Sequence, residues 1–175
     1  MSSNIEQVEE GLFVARALVD PEYAYEFAIE HSMMPISYKC LANPDYNDIS
    51  VISADLTVND ILATRQPVTS DLLNWLLRAY PHANRFTINY QPAWAEQVFH
   101  TDDTQGSVVV LSAGDYGSFD YSLDATSSEE AQDSYESIEV NAGDLIIQLV
   151  GGRFHRGRNL SDDPRITAAL WQGEV

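Results

Sequence analysis

Past Pro81 the chain is written in short apolar or alternating runs divided by glycine turns, a texture that points to an antiparallel β architecture. Residues 85–90 and 118–123 alternate with a period of two, as half-buried antiparallel strands do. Residues 107–111 form a short apolar run, punctuated afterwards by Gly114 and Gly117. Residues 145–150 read as a buried strand, opened by the turn Ala142-Gly143-Asp144 and closed by Gly151-Gly152, and residues 166–171 read as the last strand. Short strands at even spacing with glycine turns build a sandwich or a barrel.

Residues 1–80 read differently. Asp20 before Pro21 is a helix start, a capping oxygen followed by a proline in the first turn. The following run sets Tyr23, Phe27 and either Ala24 or Ala28 on one stripe. Thr57-Val58-Asn59-Asp60 resembles a capping box with Asp in place of Glu. Ser70 opens a second helix that Pro81 stops. The expectation is a single α+β, mainly β domain over 1–175. Its helical portion, 1–80, packs on a double-sheet jelly-roll core, 81–175, and buttresses one sheet. The acidic stretch 124–139 reads as a solvated loop between two strands, or alternatively as a lid over a pocket.

Charge narrows the function. The formal net charge is -18, and the cations are one lysine, Lys39, and eight arginines. A protein that grips nucleic acid or an anionic membrane neutralises phosphates with clustered cations, so neither is an expected partner. The only cysteine, Cys40, rules out an intramolecular disulfide and a zinc-thiolate cluster. No window approaches the roughly 18 apolar residues of a membrane span, and the polar start lacks the regions of a signal peptide. The expected setting is cytoplasmic.

Four histidines are present. His31 and His82 fit no pattern and read as surface or capping residues. His100 and Asp102, placed on an extended segment, point to one face, because strand side chains alternate. A facial triad for non-haem Fe(II) needs a third ligand from elsewhere. His155, after the turn Gly151-Gly152-Arg153-Phe154, is the candidate. Further on, Arg165 opens the last strand with Thr167 on the same face. An arginine beside a hydroxyl suits one carboxylate of a dicarboxylate.

The pattern His100-x-Asp102, His155, Arg165-x-Thr167 resembles the Fe(II)/2-oxoglutarate-dependent oxygenases. So does the run from Gly143-Asp144-Leu145 through Phe154-His155-Arg156 to Arg165-Ile166-Thr167. The resemblance covers residues 85–175 and implies a double-stranded β-helix, cupin-like core. It implies that His100, Asp102 and His155 hold Fe(II). Arg165 and Thr167 would then bind the far carboxylate of 2-oxoglutarate, with Asn89 and Tyr90 also against the co-substrate. O2 would be consumed, and succinate and CO2 released. Halogenases of this superfamily replace the carboxylate ligand by a small residue, so Asp102 points to hydroxylation, desaturation or cyclisation.

The expected substrate is a small molecule, amino-acid-like or a natural-product intermediate, hydroxylated at an unactivated C–H. Arg153 or Arg158 is expected to bind its carboxylate, with Trp94 at the mouth, although pairing of these arginines with the acidic loop at 124–139 or with Asp162 and Asp163 is the competing reading. A protein or peptidyl side chain is the alternative substrate. A non-catalytic cupin-like metal or ligand binder is the alternative of a different class.

Overall fold

The computed structural model describes residues 5–32, 52–57, 67–83, 85–102, 108–114, 116–149 and 152–171. In chain order these form β1 (Ile5–Glu9), β2 (Leu12–Ala15), α1 (Pro21–Ser32), β3 (Ile52–Thr57), α2 (Pro67–Ala79), β4 (Arg85–Gln91), β5 (Val108–Ala113) and β6 (Gly117–Tyr121). They continue with α3 (Ser128–Asp133), β7 (Glu136–Val140), β8 (Leu145–Gln148), β9 (His155–Asn159) and β10 (Arg165–Trp171). The strands make a seven-stranded sheet ordered β1-β2-β8-β5-β10-β4-β3 and a three-stranded sheet ordered β7-β6-β9. Every strand pairing is antiparallel. No described helix is long and apolar enough to cross a membrane.

Alternation along the strands sorts the large sheet into two faces. One face carries Phe86 and Ile88 of β4, Leu111 of β5, Leu145 of β8 and Ile166, Ala168 and Leu170 of β10. The helices cover it with Ala24 and Phe27 of α1 and Leu72, Leu73 and Leu76 of α2, all buried. The α1 stripe is the expected one, and Asp20 caps it by accepting a bond from the Glu22 N–H at 2.9 Å.

The other face meets the small sheet, and it is apolar on one side only. Leu12, Val14 and Ile146 pack against Phe119, Tyr121, Ile138 and Val140. Farther along the large sheet, the inward positions become Arg165 and Thr167 on β10, paired in register with Gln91 and Asn89 on β4. β9 lies over this polar half, where the Gln91 carboxamide donates to the Gly157 carbonyl at 3.1 Å. The jelly roll is therefore closed by hydrophobic packing at β7-β6 and left polar between β9 and β10-β4. That polar half is the candidate site.

Several elements depart from the sequence-based expectation. The first half of the chain contributes three strands as well as helices. The β1–β2 hairpin turns at Gly11, whose φ of 73° suits glycine, and β2 continues the large sheet through β8. The second helix begins at Pro67 rather than Ser70. The weak capping box at 57–60 lies outside the described residues after Thr57, the last residue of β3, as do Lys39 and Cys40. The acidic stretch 124–139 is not one loop: it holds α3 and β7. Its helix is nucleated by its own acidic residues. Ser127 Oγ accepts from the Glu130 N–H at 3.2 Å, while the Glu130 carboxylate accepts from the Thr126 N–H at 2.8 Å.

Candidate metal centre

β9 begins at His155, and its first residue forms an antiparallel bridge with His100. The two residues exchange backbone bonds, His100 N–H to the His155 carbonyl at 3.0 Å and the reverse at 2.9 Å. Directly opposed residues place their side chains on one face, and the two imidazole centroids lie 4.6 Å apart. Asp102 comes to the same spot, its Oδ2 lying 3.5 Å from His155 Nε2. One ligand atom from each of His100, Asp102 and His155 lies within 4.8 Å of the others.

The rings are held in the tautomer a metal needs. His100 Nδ1 donates to the Val98 carbonyl at 2.9 Å, and His155 Nδ1 donates to the Arg153 carbonyl at 3.0 Å. A proton on Nδ1 puts the lone pair on Nε2, and such backbone acceptors are the usual support for ligating histidines. Phe119 stacks on His155 at 5.3 Å and 20°. Burial and the neighbouring His155 lower the His100 pKa to about 4, so at neutral pH the ring is an uncharged donor. Two neutral imidazoles and a carboxylate fit a divalent first-row metal, and iron(II) with its open positions in particular.

The lowered value fixes a pH dependence for the metal-free protein. Between about 4 and the ordinary 6.5, the unfolded chain binds a proton at His100 that the folded chain does not. The stability contributed by the neutral ring is complete above about 6.5 and is lost as the pH falls toward 4. Wild-type Tm should therefore drop more steeply across that window than the Tm of His100→Asn. Parallel curves would refute the effect.

At the other end of β6 lies Arg165, only 3% exposed. Its Nε and Nη2 donate to Ser112 Oγ at 3.2 and 3.1 Å, and its Nη1 donates to Gln91 Oε1 at 2.7 Å and to the Arg158 carbonyl at 3.3 Å. All of these acceptors are neutral. Burial lowers the Arg165 pKa to about 10, which leaves it charged at pH 7. Gly117 is the floor beneath it: a Cβ there would come within 2.7 Å of Arg165 Nε and 2.5 Å of the Arg158 carbonyl oxygen. A buried cation among neutral partners is an anchor for an anion.

Of the other predicted residues, Thr167 and Asn89 come together beside Arg165, with Asn89 Nδ2 donating to Thr167 Oγ1 at 3.2 Å. Tyr90 does not join them. Its register partner is Ile166, and its ring packs on the helix-covered face. Arg158 also leaves the inward face. Ser118 and Asp120 are the register partners of Arg158 and Arg156, on the outer side of the small sheet. There Arg158 Nε pairs with Asp120 at 2.7 Å, so it is not the carboxylate ligand expected from the sequence. Trp94 is 63% exposed, with φ 60°, and its indole N–H donates to Asp162 at 3.0 Å on the surface. Arg153 stays near the metal end, its guanidinium 5.8 Å from the Tyr121 ring centroid. His82 is exposed in the turn after α2.

Gln91 and Ser112 were not anticipated. Gln91 had a signal: it lies two positions after Asn89 and so shares its face, whereas Tyr90 cannot. Ser112, inside an apolar strand, had none.

The sequence matches no family model and no curated protein sequence. The fold matches solved structures. OsALKBH1 is 14% identical, with 97% of this chain and 100% of that chain covered and a TM-score of 0.65. An oxidoreductase of the 2OG-Fe(II) oxygenase family from Burkholderia pseudomallei is 14% identical over 93% of this chain and 84% of that one, with a TM-score of 0.60. HygX from Streptomyces hygroscopicus, with nickel and 2-oxoglutarate bound, is 14% identical over 91% and 81%, with a TM-score of 0.59. At such identities the likeness is one of fold, a double-sheet jelly roll.

Proposed function

We propose that the chain is an Fe(II)- and 2-oxoglutarate-dependent oxygenase that hydroxylates an unactivated C–H bond of a small molecule. One observation carries the reading: Arg165 is buried among neutral partners, facing the same polar inter-sheet space as a His-Asp-His cluster. A cupin-like metal binder needs the cluster but has no use for a buried guanidinium at the far end. His100, Asp102 and His155 would hold Fe(II), and Arg165 with Thr167 would take the far carboxylate of the co-substrate. Iron(II) bound there, together with 2-oxoglutarate, supplies the means of activating O2.

The atoms balance as R–H, 2-oxoglutarate and O2 going to R–OH, succinate and CO2, with one oxygen atom entering each of the first two products. The protein's own residues position the reactants. Gln91 and Ser112 fix the guanidinium plane, and Val98 and Arg153 carbonyls fix the imidazoles. Phe119 and Tyr121 make the adjoining wall apolar, which limits water in the space.

A small substrate is favoured over nucleic acid by the fate of the arginines. Arg156 is 2% exposed and, with Arg158, is committed to Asp120, while Arg165 is internal. Among the described residues no cationic stripe is left near the site to follow a phosphate backbone.

Anaerobic addition of Fe(II) and 2-oxoglutarate should produce the weak visible charge-transfer band of the chelate. The band should be absent in His155→Ala. Arg165→Leu should still bind metal but should need far more 2-oxoglutarate to develop it. No band and no succinate with a broad substrate panel would instead identify a binding protein.

A further inference from the structure

Three buried polar atoms on two side chains, Gln148 and Arg153, have nothing to bond. Gln148, the last residue of β8, is 3% exposed. Neither its carboxamide nitrogen nor its oxygen has a hydrogen-bond partner. Arg153 has one satisfied nitrogen, Nη2, which donates to the Glu10 carbonyl at 3.0 Å. Its Nη1 is buried without a partner. Buried polar groups in folded proteins are almost always paired, so such orphans mark a place where something else completes the set.

Register and contacts place both groups on the inter-sheet core. Gln148 pairs in register with Leu12, and Ile146, two residues earlier, lies in the inter-sheet core, so Gln148 faces inward. Leu12 and Tyr121 belong to that same core, and Tyr121 pairs in register with His155. Arg153 lies over the Tyr121 ring and gives its own carbonyl to His155 Nδ1. Arg165 holds the opposite end of β6, against Gly117. Both orphans thus lie on the inter-sheet core away from the co-substrate anchor, with Arg153 two residues from a metal ligand whose ring it holds.

We infer that Arg153 and Gln148 form the substrate-recognition pair, and that the substrate is a small α-amino acid. The inference rests on the oxygenase reading and deepens it. A carboxylate accepts from Arg153 Nη1 and from the Gln148 amide N–H, which leaves the Gln148 oxygen to accept from an N–H on the adjacent carbon. The leftover carboxamide oxygen is an acceptor and so favours an ammonium over a second anion. Gln148 was invisible in the sequence because it sits within an apolar run, 145–150, that reads as core.

The test uses full-length protein loaded with redox-inert Mn(II) and 2-oxoglutarate, titrated calorimetrically with the common L-amino acids and with their carboxamides. At least one acid should bind, and its carboxamide should bind at least tenfold more weakly. Arg153→Met and Gln148→Leu should each weaken the acid by about 10- to 100-fold, as loss of a charged or buried hydrogen bond does. Binding of 2-oxoglutarate should be unchanged in both. Gln148→Leu should melt no lower than wild type, since it removes an unsatisfied group. Two results overturn the pair while leaving the oxygenase reading intact: 2-oxoglutarate uptake with no amino acid bound, or an acid bound equally well by both variants. Protein that takes up neither Mn(II) nor 2-oxoglutarate overturns both together.

Discussion

Asp120→Ala is expected to cost about 3–5 kcal/mol of folding stability, the figure for breaking a buried ion pair by removing one partner. Asp120 is fully buried. Its carboxylate accepts from Arg156 Nε at 2.9 Å, from Arg158 Nε at 2.7 Å, from Ser118 Oγ at 2.9 Å and from Ser137 Oγ at 2.7 Å. Removal leaves two guanidinium groups on the outer face of the small sheet with little to balance them. Arg156 is itself 2% exposed, with Gln132 at 2.9 Å and the half-exposed Glu96 at 3.4 Å in reserve. Its guanidinium also stacks over Phe99 at 4.6 Å and Tyr135 at 5.0 Å, so it has no easy route to water.

The effect should reach the metal centre. Asp120 grips β9 at the two residues after His155 that face outward, and Phe99 immediately precedes His100. Urea denaturation should show a lower midpoint at unchanged m, and the variant that remains folded should bind Fe(II) more weakly. Asp120→Asn keeps the shape and removes the charge, and should fall between the two. A loss below about 1 kcal/mol, the value of an exposed pair, would mean the network relaxes to solvent.

The contrast between legible and hidden parts of this chain has a physical basis. His100, Asp102, His155, Arg165 and Thr167 stood out because chemistry demands particular side chains in a particular order, and the structure brings the first three into one cluster and the last two onto one strand face. β10 and β6 were readable because one of their faces packs on apolar neighbours. β9 was not, since neither of its faces carries an apolar stripe: His155, Gly157 and Asn159 look inward on the site, and Arg156 and Arg158 look outward onto Asp120. A strand with two polar faces carries no hydrophobic period. The same strand parity explains Tyr90, which the sequence pairs with Asn89 by adjacency and the pleat sends to the opposite face. Short edge strands such as β1, with its acidic, exposed residues, also carry little signal.

Gln91→Glu should reduce 2-oxoglutarate affinity by about 100-fold or more, equivalent to about 3 kcal/mol, while leaving metal binding in place. Gln91 Oε1 sits 2.7 Å from Arg165 Nη1, and glutamate is nearly its isostere. The substitution would supply the buried guanidinium with the permanent anion it lacks. An incoming carboxylate would then meet a neutralised arginine and a like charge beside it. Folding stability should fall modestly, because the attraction gained is offset by desolvation of the new carboxylate and its oxygen replaces the N–H that Gln91 gives the Gly157 carbonyl. Gln91→Met separates charge from geometry: it deletes the bonds to Arg165 and to the Gly157 carbonyl but leaves Arg165 cationic, held by Ser112. Its 2-oxoglutarate affinity should stay within about tenfold of wild type, because the charge that recognises the carboxylate is kept. If both variants bind 2-oxoglutarate as wild type does, Arg165 anchors no carboxylate and its burial is structural. If both lose binding equally, the carboxamide itself is the contact. Only a large loss confined to Gln91→Glu identifies the unpaired charge of Arg165 as what the co-substrate recognises.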